Sequence, residues 1–502
     1  MTDTRAQTTP TVADITTPDL GDMATEDFRA AAHAVVDLMA DYLTTIETRD
    51  VFPPIEPGSL RGLFPASAPE SPEPVDAILA DVERLIEPNA TQWQHPGFLA
   101  YFSTTASSIG VLGEMLTAVL GQNPMLWRTS PIGTELEGVV VDWLRQALGL
   151  PDGFDGLLTD TASTSSLIGL AGAREVAGIE ASRRGLTGRD DVGQMRVYAS
   201  VEAHSSIEKA CMTLGLGRDA LVRIPTNDRF ELQPERLRQA IADDRAAGRR
   251  PIAIVATVGT TSSTSVDPVA EIAEIAEAEG LWLHVDSAYA GVVAMLPERQ
   301  EPFRGWERAD SIVVNPHKWL FTPMDASLLL TRHMEAFRAA FSLVPEYLRT
   351  LDRAAPVRDY NEYTPQLGRR FRALKLWMQL RWFGLEGLRR RIREHLALAA
   401  AFAAAVDADP DWERLAPVPF STVCFRWHPR GWTGTDGALD DANAAIMDAV
   451  NRTGEVFLSH TRLDDHFTIR VAIGNLRTEA HHVERAWTLL REAASSVSGA
   501  VA

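Results

Sequence analysis

Apolar and polar residues recur along the chain with two different periods, and the change of period divides the chain into regions. Over residues 26–47 the apolar positions follow helical spacing, and a proline-containing stretch from Val51 ends the predicted helix. Residues 75–88 predict a second amphipathic helix. Before these helices, residues 1–22 are polar and carry threonine, aspartate and proline, so we expect a disordered tail there. Residues 23–107 are therefore interpreted as an N-terminal helical arm.

Farther along, helical patterns alternate with short β-branched runs at residues 196–200, 252–257, 281–285 and 311–314. This alternation predicts an α/β domain, over residues 108–374, with a mostly parallel central sheet and helices on both faces. Ligands of such sheets bind outside the carboxyl ends of the strands. Residues 375–502 combine long helices with strand patterns at 422–427 and 467–473, which predicts a smaller C-terminal α+β domain.

Composition narrows the class of function. The 502 residues carry 68 acidic and 48 basic side chains, a net charge of -20 that repels nucleic acid. The longest apolar run, from Leu396, is shorter than the ~20 residues that span a bilayer, and no signal-peptide pattern opens the chain. The two cysteines, Cys211 and Cys424, stand in apolar surroundings without metal-ligand spacing. We therefore expect a cytoplasmic protein without nucleic-acid, membrane or metal binding.

Two of the predicted strands end in groups that could act together. The run from Leu281 leads to Asp286, and the run from Ser311 leads to His317 and Lys318. Alone, a lysine at a strand end is most often a solvated amine and an aspartate there a turn residue. Together they suit pyridoxal 5'-phosphate (PLP), because a lysine amine can bond the cofactor aldehyde while an aspartate keeps the pyridine nitrogen protonated.

Several longer motifs, in order along the chain, carry a resemblance to a known family. They are Ile55-Glu-Pro-Gly-Ser-Leu-Arg, Ser130-Pro-Ile-Gly-Thr-Glu-Leu-Glu, Ala203-His-Ser-Ser-Ile-Glu-Lys, Ala256-Thr-Val-Gly-Thr-Thr, His284-Val-Asp-Ser-Ala-Tyr-Ala-Gly, Asn315-Pro-His-Lys-Trp-Leu and Leu367-Gly-Arg-Arg-Phe-Arg-Ala-Leu-Lys-Leu-Trp. With these motifs the chain resembles the group II PLP-dependent decarboxylases, and most closely the aromatic-L-amino-acid decarboxylases. The resemblance implies PLP fold-type I, the aspartate aminotransferase-like scaffold.

The resemblance also implies roles for individual residues. Lys318 matches the lysine that bonds the cofactor, Asp286 the partner of the pyridine nitrogen, and His204 the imidazole stacked on the ring. Thr261 matches a hydroxyl near the 3-oxygen of the cofactor. Further matches, close to the phosphate and the lysine, are Asn315 and His317.

The phosphate is expected on the hydroxyl-rich run at residues 159–166, where a helix N-terminus would offer N–H donors. Ala162 and Ser163 match the family pattern there. Asp160 and Thr164 depart from the Gly-Ser-Ala-Ser-Glu sequence of the animal enzymes. A hydroxyl cluster of this kind is, on its own, more often an ordinary helix cap than an anion site.

The expected reaction is loss of CO2 from an L-aromatic amino acid, with the amine as product. Tyr347 matches the loop tyrosine that protonates the product carbon in the family, whereas similar aldehyde synthases carry phenylalanine there. The substrate wall implied by the resemblance contains Trp93, Phe102, Thr105, Met125 and Leu126. Gly368 matches the aromatic members better than histidine decarboxylases, which carry serine. Tryptophan, tyrosine, DOPA and phenylalanine all remain candidate substrates.

The family forms homodimers with active sites at the interface, so the resemblance implies that the N-terminal arm serves dimerisation. The alternative functions are an aromatic aldehyde synthase, which decarboxylates with oxidative deamination, and a non-catalytic PLP-fold protein. A transaminase is disfavoured because decarboxylase motifs run throughout the chain. A cysteine desulfurase would need a mobile reactive thiol, and Cys424 lies in a strand-like core run.

Overall fold

The computed structural model describes residues 21–343 and 357–501, with side chains as far as Ser498. Contacts divide the described chain into two units, residues 21–48 with 55–90 and residues 49–54 with 91–501. The first unit contains α1 (Thr25–Thr45) and α2 (Val75–Asp81), which continues into a π-helical turn, Val82–Ile86. Both helices occur where the apolar spacing predicts them.

The second unit contains the remaining α-helices and the strands of the described chain. Its helices are α3 (Ser108–Leu120), α4 (Pro131–Ala147), α5 (Ala162–Val176), α6 (Ala181–Arg184), α7 (Ser205–Thr213), α8 (Pro234–Ala246), α9 (Val269–Glu279), α10 (Met334–Phe341), α11 (Arg372–Ala408), α12 (Asp436–Asn451) and α13 (Ala480–Val501). Its strands are β1 (Asp155–Thr159), β2 (Met195–Ser200), β3 (Leu221–Ile224), β4 (Arg250–Thr257), β5 (Trp282–Asp286), β6 (Ser311–Val314), β7 (Ser327–Thr331), β8 (Trp412–Arg414), β9 (Thr422–Trp427), β10 (Ser459–Leu463) and β11 (His466–Ala472). None of the described helices is long and apolar enough to cross a membrane.

The central sheet has the strand order β1-β7-β6-β5-β4-β2-β3. Its strands β3, β2, β4, β5 and β6 are parallel, and β7 pairs antiparallel with both β6 and β1. Alternate residues of β4 face opposite cores: Val255 packs with α5 on one side, and Ile254 packs with α9 on the other. The central strands β4, β5, β6 and β7 are almost completely buried, as expected for a sheet covered by helices on both faces.

The smaller sheet is antiparallel, with the order β10-β11-β9-β8. Its apolar face packs with α12, α13 and the second half of α11 around Phe425, Ile446 and Leu490. The helix α11 changes direction at Gly384, whose φ of 60° lies in the left-handed region that favours glycine. These elements form the predicted α+β region, which confirms the predicted fold class of a mostly parallel sheet followed by a smaller domain.

A buried ion pair joins the segment before α11 to the central sheet. The guanidinium of Arg369 lies 2.6 Å from the carboxylate of Glu137, and each side chain is 1% exposed. Arg369 also donates to the carbonyl of Leu158 on β1, at 2.7 Å, and the Leu158 N–H donates to Glu137 at 2.9 Å. The pair therefore couples α4, β1 and the start of α11.

Replacing Glu137 by glutamine should remove the negative charge and leave the Arg369 guanidinium buried without a counter-charge. Breaking a buried pair in this way costs about 3–5 kcal/mol, so the free energy of unfolding should fall by that amount in urea titrations. The matched control is Glu298→Gln, which breaks the exposed pair with Arg393. Solvent screens that pair, so the control should unfold almost as the wild type does. Equal losses in the two variants would contradict the prediction.

Candidate active site

The carboxyl ends of β4, β5 and β6 meet at one edge of the central sheet and bound a cavity of about 220 Å3. Nine residues singled out from the sequence line it: Phe102, Ala162, Ser163, His204, Thr261, Asp286, Asn315, His317 and Lys318. Five further residues complete the lining: Thr161, Thr257, Gly259, Ala288 and Tyr289. The segments at the ends of the parallel strands thus place an amine (Lys318), a carboxylate (Asp286) and two imidazoles (His204 and His317) around one cavity.

Lys318 and Asp286 are the two charged groups of this cavity. Burial lowers the pKa of the Lys318 amine below its usual value, and the nearby Asp286 carboxylate opposes that shift. The amine nitrogen lies 5.3 Å from the centre of the Phe102 ring. Asp286 accepts a hydrogen bond from the backbone N–H of Ala288 at 3.1 Å. A lowered pKa enlarges the neutral fraction of the amine, which is the form that attacks a carbonyl carbon.

His204 is held by the start of the helix that follows it. It occupies the N-cap of α7, where its Nδ1 accepts from the Ser206 N–H at 3.1 Å and lies 2.8 Å from the Ser206 hydroxyl. Burial lowers the pKa of His204, Asp286 opposes this shift, and Lys318 adds to it. Because Nδ1 accepts a backbone bond, the neutral ring carries its proton on Nε2. The imidazole is therefore a fixed, neutral plane at the wall of the cavity.

The hydroxyl-rich run at residues 159–166 divides into two groups. Thr161, at the N-cap of α5, lines the cavity with Ala162 and Ser163. Thr159, Ser165 and Ser166 instead form hydrogen bonds inside the protein: Ser165 lies 2.7 Å from the Thr159 hydroxyl and 2.9 Å from that of Ser327, and Ser166 contacts His284. Only the first turn of α5 is thus available to an anion in the cavity.

Asp160, which departs from the family pattern, is engaged on both carboxylate oxygens. One oxygen accepts from the Thr161 N–H at 2.6 Å, and the other accepts from the Gln366 amide at 3.2 Å. These bonds fix the orientation of the Asp160 side chain, which the sequence did not predict.

Polar atoms of the lining residues indicate that the cavity suits a polar ligand. Within the described chain, the Thr257 hydroxyl and the side-chain amide oxygen of Asn315 are buried without a hydrogen-bond partner. Buried polar atoms are rarely left unpaired, so a bound group is expected to supply their partners. His317 accepts from the Ala326 N–H at 3.0 Å, and burial lowers its pKa to about 4. The amine, the carboxylate, the neutral rings and the helix N-terminus fit PLP.

Of the residues expected to contact substrate, Phe102 alone lies in the lining of this cavity. It stacks on Tyr289 with ring centres 3.8 Å apart. Trp93 stacks instead on Phe98, and the Thr105 hydroxyl accepts from the Leu476 N–H. The remaining three positions, which also do not line the cavity, are Met125, Leu126 and Gly368. Tyr347 lies outside the described residues.

Four lining residues, Thr257, Gly259, Ala288 and Tyr289, were not singled out from the sequence, although signals for Thr257 and Tyr289 exist. Thr257 is the last residue of β4 and pairs in register with Asp286. Tyr289 follows Asp286 by three residues in the same motif. The rule that ligands bind at the carboxyl ends of parallel strands points to Thr257 as well as to Asp286.

Comparison with known proteins agrees with this geometry. Residues 57–428 match the family model described as the pyridoxal-dependent decarboxylase conserved domain. The chain is 40% identical to phenylacetaldehyde synthase of Arabidopsis thaliana over 94% of this chain and 97% of the relative. It is 38% identical to the aromatic-L-amino-acid decarboxylase of Sus scrofa over 95% and 98%.

A solved structure extends the likeness to three dimensions. The crystal structure of Oryza sativa TDC with PLP and tryptamine matches with a TM-score of 0.91 and 34% identity, over 95% of this chain and 99% of that one. The predicted fold-type I architecture, PLP as cofactor and carboxy-lyase chemistry are thereby confirmed. This chain belongs to the pyridoxal-dependent decarboxylase family.

Proposed function

We propose that this protein removes CO2 from an L-aromatic amino acid and releases the corresponding amine. The observation that carries the proposal is the placement of the Lys318 amine and the Asp286 carboxylate in one cavity, beside the aromatic ring of Phe102. When bound, PLP supplies an electron sink for the bond that breaks at the substrate Cα. The residues of the chain bind the cofactor, orient it and move the protons.

Each group of lining residues has its own role in the proposed reaction. Lys318 would hold the cofactor between turnovers, and the substrate amine would then take its place. Asp286 would keep a proton on the pyridine nitrogen, and the neutral imidazole of His204 would support the ring. The first turn of α5, with Ala162 and Ser163, would hold the phosphate. The remaining polar contacts come from Thr261, Asn315 and His317.

The aromatic preference rests on Phe102. Its stack on Tyr289 fixes the plane of a ring that borders the cavity, and aromatic side chains gain about 0.5–1.5 kcal/mol from such stacking beyond burial. Relatives named for tryptophan, tyrosine and aromatic-L-amino-acid decarboxylation agree with this preference. We infer that tryptophan, tyrosine, DOPA or phenylalanine is the substrate, with Trp93, Thr105, Met125, Leu126 and Gly368 as further proposed substrate positions.

Tyr347 is proposed as the group that protonates the product carbon. The specific competitor is the aldehyde synthase reaction, favoured by 40% identity to a phenylacetaldehyde synthase. That reaction consumes one O2 and one water per amino acid and releases an aldehyde, CO2, ammonia and hydrogen peroxide. Tyrosine at position 347 is the feature that favours the amine as product.

A homodimer is proposed from an apolar surface around α3. Leu112, Leu116, Val119 and Leu120 are exposed along one stripe of this helix, with Val119 70% exposed. The helix packs against α11, which exposes Trp382, and α11 also contacts α4, which exposes Trp143. Exposed apolar side chains on helices that contact one another are typical of an interface, and a second copy of the chain is the proposed occupant.

The compartment is proposed from the cysteines. Cys211 and Cys424 are free and buried, and burial raises the pKa of both thiols, to about 11 and about 12. Such unreactive, unpaired thiols suit the reducing cytoplasm.

Borohydride reduction of the PLP-treated protein should fix the cofactor to Lys318 alone. The chain contains three lysines, so Lys209, which is exposed, and Lys375, which pairs with Glu114, serve as internal controls. Peptide mass spectrometry should place the added mass on Lys318 in the wild type and on no peptide in Lys318→Arg. Preferential labelling of Lys209 in the wild type would contradict the assignment.

The PLP-loaded enzyme should release CO2 and amine in equal amounts from at least one of L-tryptophan, L-tyrosine, L-DOPA and L-phenylalanine, and neither from L-histidine. CO2, amine, aldehyde and peroxide should be measured together. Tyr347→Phe should shift the products toward aldehyde, ammonia and peroxide, because the proton donor is lost. Aldehyde and peroxide from the wild type would make the protein a synthase, and an unchanged amine yield in the variant would remove Tyr347 from the mechanism.

The wild type should have twice the 55.0 kDa chain mass in size-exclusion chromatography with light scattering. Leu116→Asp places a charge in the α3 stripe and should shift the protein toward the monomer. Val176→Asp is the matched control, because Val176 is 62% exposed at the end of α5, away from that stripe. A monomeric wild type, or equal behaviour of the two variants, would refute the proposed interface.

A further inference from the structure

His284 is a buried imidazole that joins three elements beneath the cavity. It precedes Asp286 by two residues on β5, and its side chain has no exposed surface. Its Nδ1 lies 2.8 Å from the hydroxyl of Ser311, the first residue of β6. Its Nε2 lies 3.1 Å from the hydroxyl of Ser166 in α5. One ring thus connects two neighbouring strands to the helix whose first turn lines the cavity.

Both hydrogen bonds hold at neutral pH. Burial lowers the pKa of His284 to about 4, so the ring is neutral. A hydroxyl can donate or accept, and either neutral tautomer therefore bonds both serines. Ser311 is itself held by the indole N–H of Trp282, which donates to its hydroxyl at 2.9 Å. The bridge is a fixed structural connection with no net charge.

A second observation concerns the distance between α5 and β5. A Cβ atom placed on Gly169 would lie 3.0 Å from the His284 Nδ1 and 3.1 Å from the Ser311 hydroxyl oxygen. The bare backbone of α5 therefore lies directly against the imidazole, one turn after the bond to Ser166. The contact at Gly169 and the bond at Ser166 together fix the distance between α5 and β5.

The distance between α5 and β5 affects cofactor binding, because the cofactor has a fixed length between its phosphate and its pyridine nitrogen. The first turn of α5, with Ser163, precedes Ser166 by three residues. Asp286 lies on the same face of β5 as His284, because side chains two residues apart on a strand share a face. His284 thus links, through Ser166 and through β5, the two groups that would bind opposite ends of the cofactor.

We propose that His284 is a positioning residue that sets the spacing between the phosphate-binding first turn of α5 and the Asp286 carboxylate. The inference rests on the proposed function, because it takes the first turn of α5 as the phosphate site. His284 does not touch the cofactor in this proposal. It acts through Ser166, and its loss should affect binding of the phosphate end in particular.

Two substitutions of His284 separate its two bonds. His284→Gln keeps an amide near the position of Nε2 and can still bond Ser166. His284→Asn keeps an amide near Nδ1 and can still bond Ser311, but it cannot reach the helix. Ser166→Ala removes the same link from the helix side and leaves the imidazole in place. Thermal unfolding of each variant checks that it is folded, and Ser166→Ala carries the test if His284→Asn does not fold.

The readout is the dissociation constant of each apoenzyme for PLP and for pyridoxal, which lacks the phosphate, from fluorescence titration. His284→Asn and Ser166→Ala should weaken PLP binding by roughly 10- to 100-fold, the range typical of lost supporting contacts, with pyridoxal binding nearly unchanged. His284→Gln should bind PLP within about threefold of the wild type.

Two outcomes would overturn the inference while leaving the proposed function intact. One is wild-type PLP affinity in both His284→Asn and Ser166→Ala. The other is an equal loss of PLP and pyridoxal affinity in His284→Asn and His284→Gln, which would indicate a general packing role. A wild-type apoenzyme that binds PLP no better than pyridoxal would instead refute the phosphate site of the proposed function.

Discussion

The active site depends on the shared direction and register of β4, β5 and β6. Thr257 pairs with Asp286, and Asp286 pairs with Val313, so the three strands end within a residue or two of one another. A one-residue slip would turn Asp286 to the opposite face of the sheet and away from the cavity. Register is secured because both faces of the sheet are packed with apolar side chains. The chemistry of the site is thus a consequence of how the core of the sheet is filled.

Burial near the carboxyl ends of these strands affects the pKa values of several groups together. It lowers the pKa of His204, His284 and His317, and it lowers that of the Lys318 amine. Three imidazoles near the lysine are therefore neutral, and each has at least one ring nitrogen committed to a hydrogen bond. They add shape and hydrogen bonding without adding positive charge. The attractive charge for an anionic phosphate is left to the N-terminus of α5, at a defined place in the cavity.

The sequence predicted the buried parallel strands because each is a short apolar run between turn residues, as in β6. It did not predict β1, β3 or β7 of the central sheet, or β8 and β10 of the smaller sheet. The five-residue strands β1 and β7 pair antiparallel with segments that are distant in sequence. Motifs also located the charged groups of the cavity. They could not divide the hydroxyl-rich run at residues 159–166, because only the packed helix shows that Ser165 and Ser166 turn inward. Thr257 and Tyr289 were missed for a similar reason, since their place in the wall comes from strand pairing and ring stacking.

The choice between amine and aldehyde cannot lie in the general scaffold, because relatives with both kinds of name align with nearly the whole chain. It must lie in what reaches the substrate Cα. The segment 344–356, which contains Tyr347, is bracketed by chain that is held in place: Arg338 of α10 pairs with Glu362 at 2.7 Å, and Asp359 accepts from the Trp127 N–H at 2.8 Å. Both anchors are formed by residues outside this segment. In the proposed mechanism, the hydroxyl of Tyr347 would decide the product on a scaffold that both kinds of relative share.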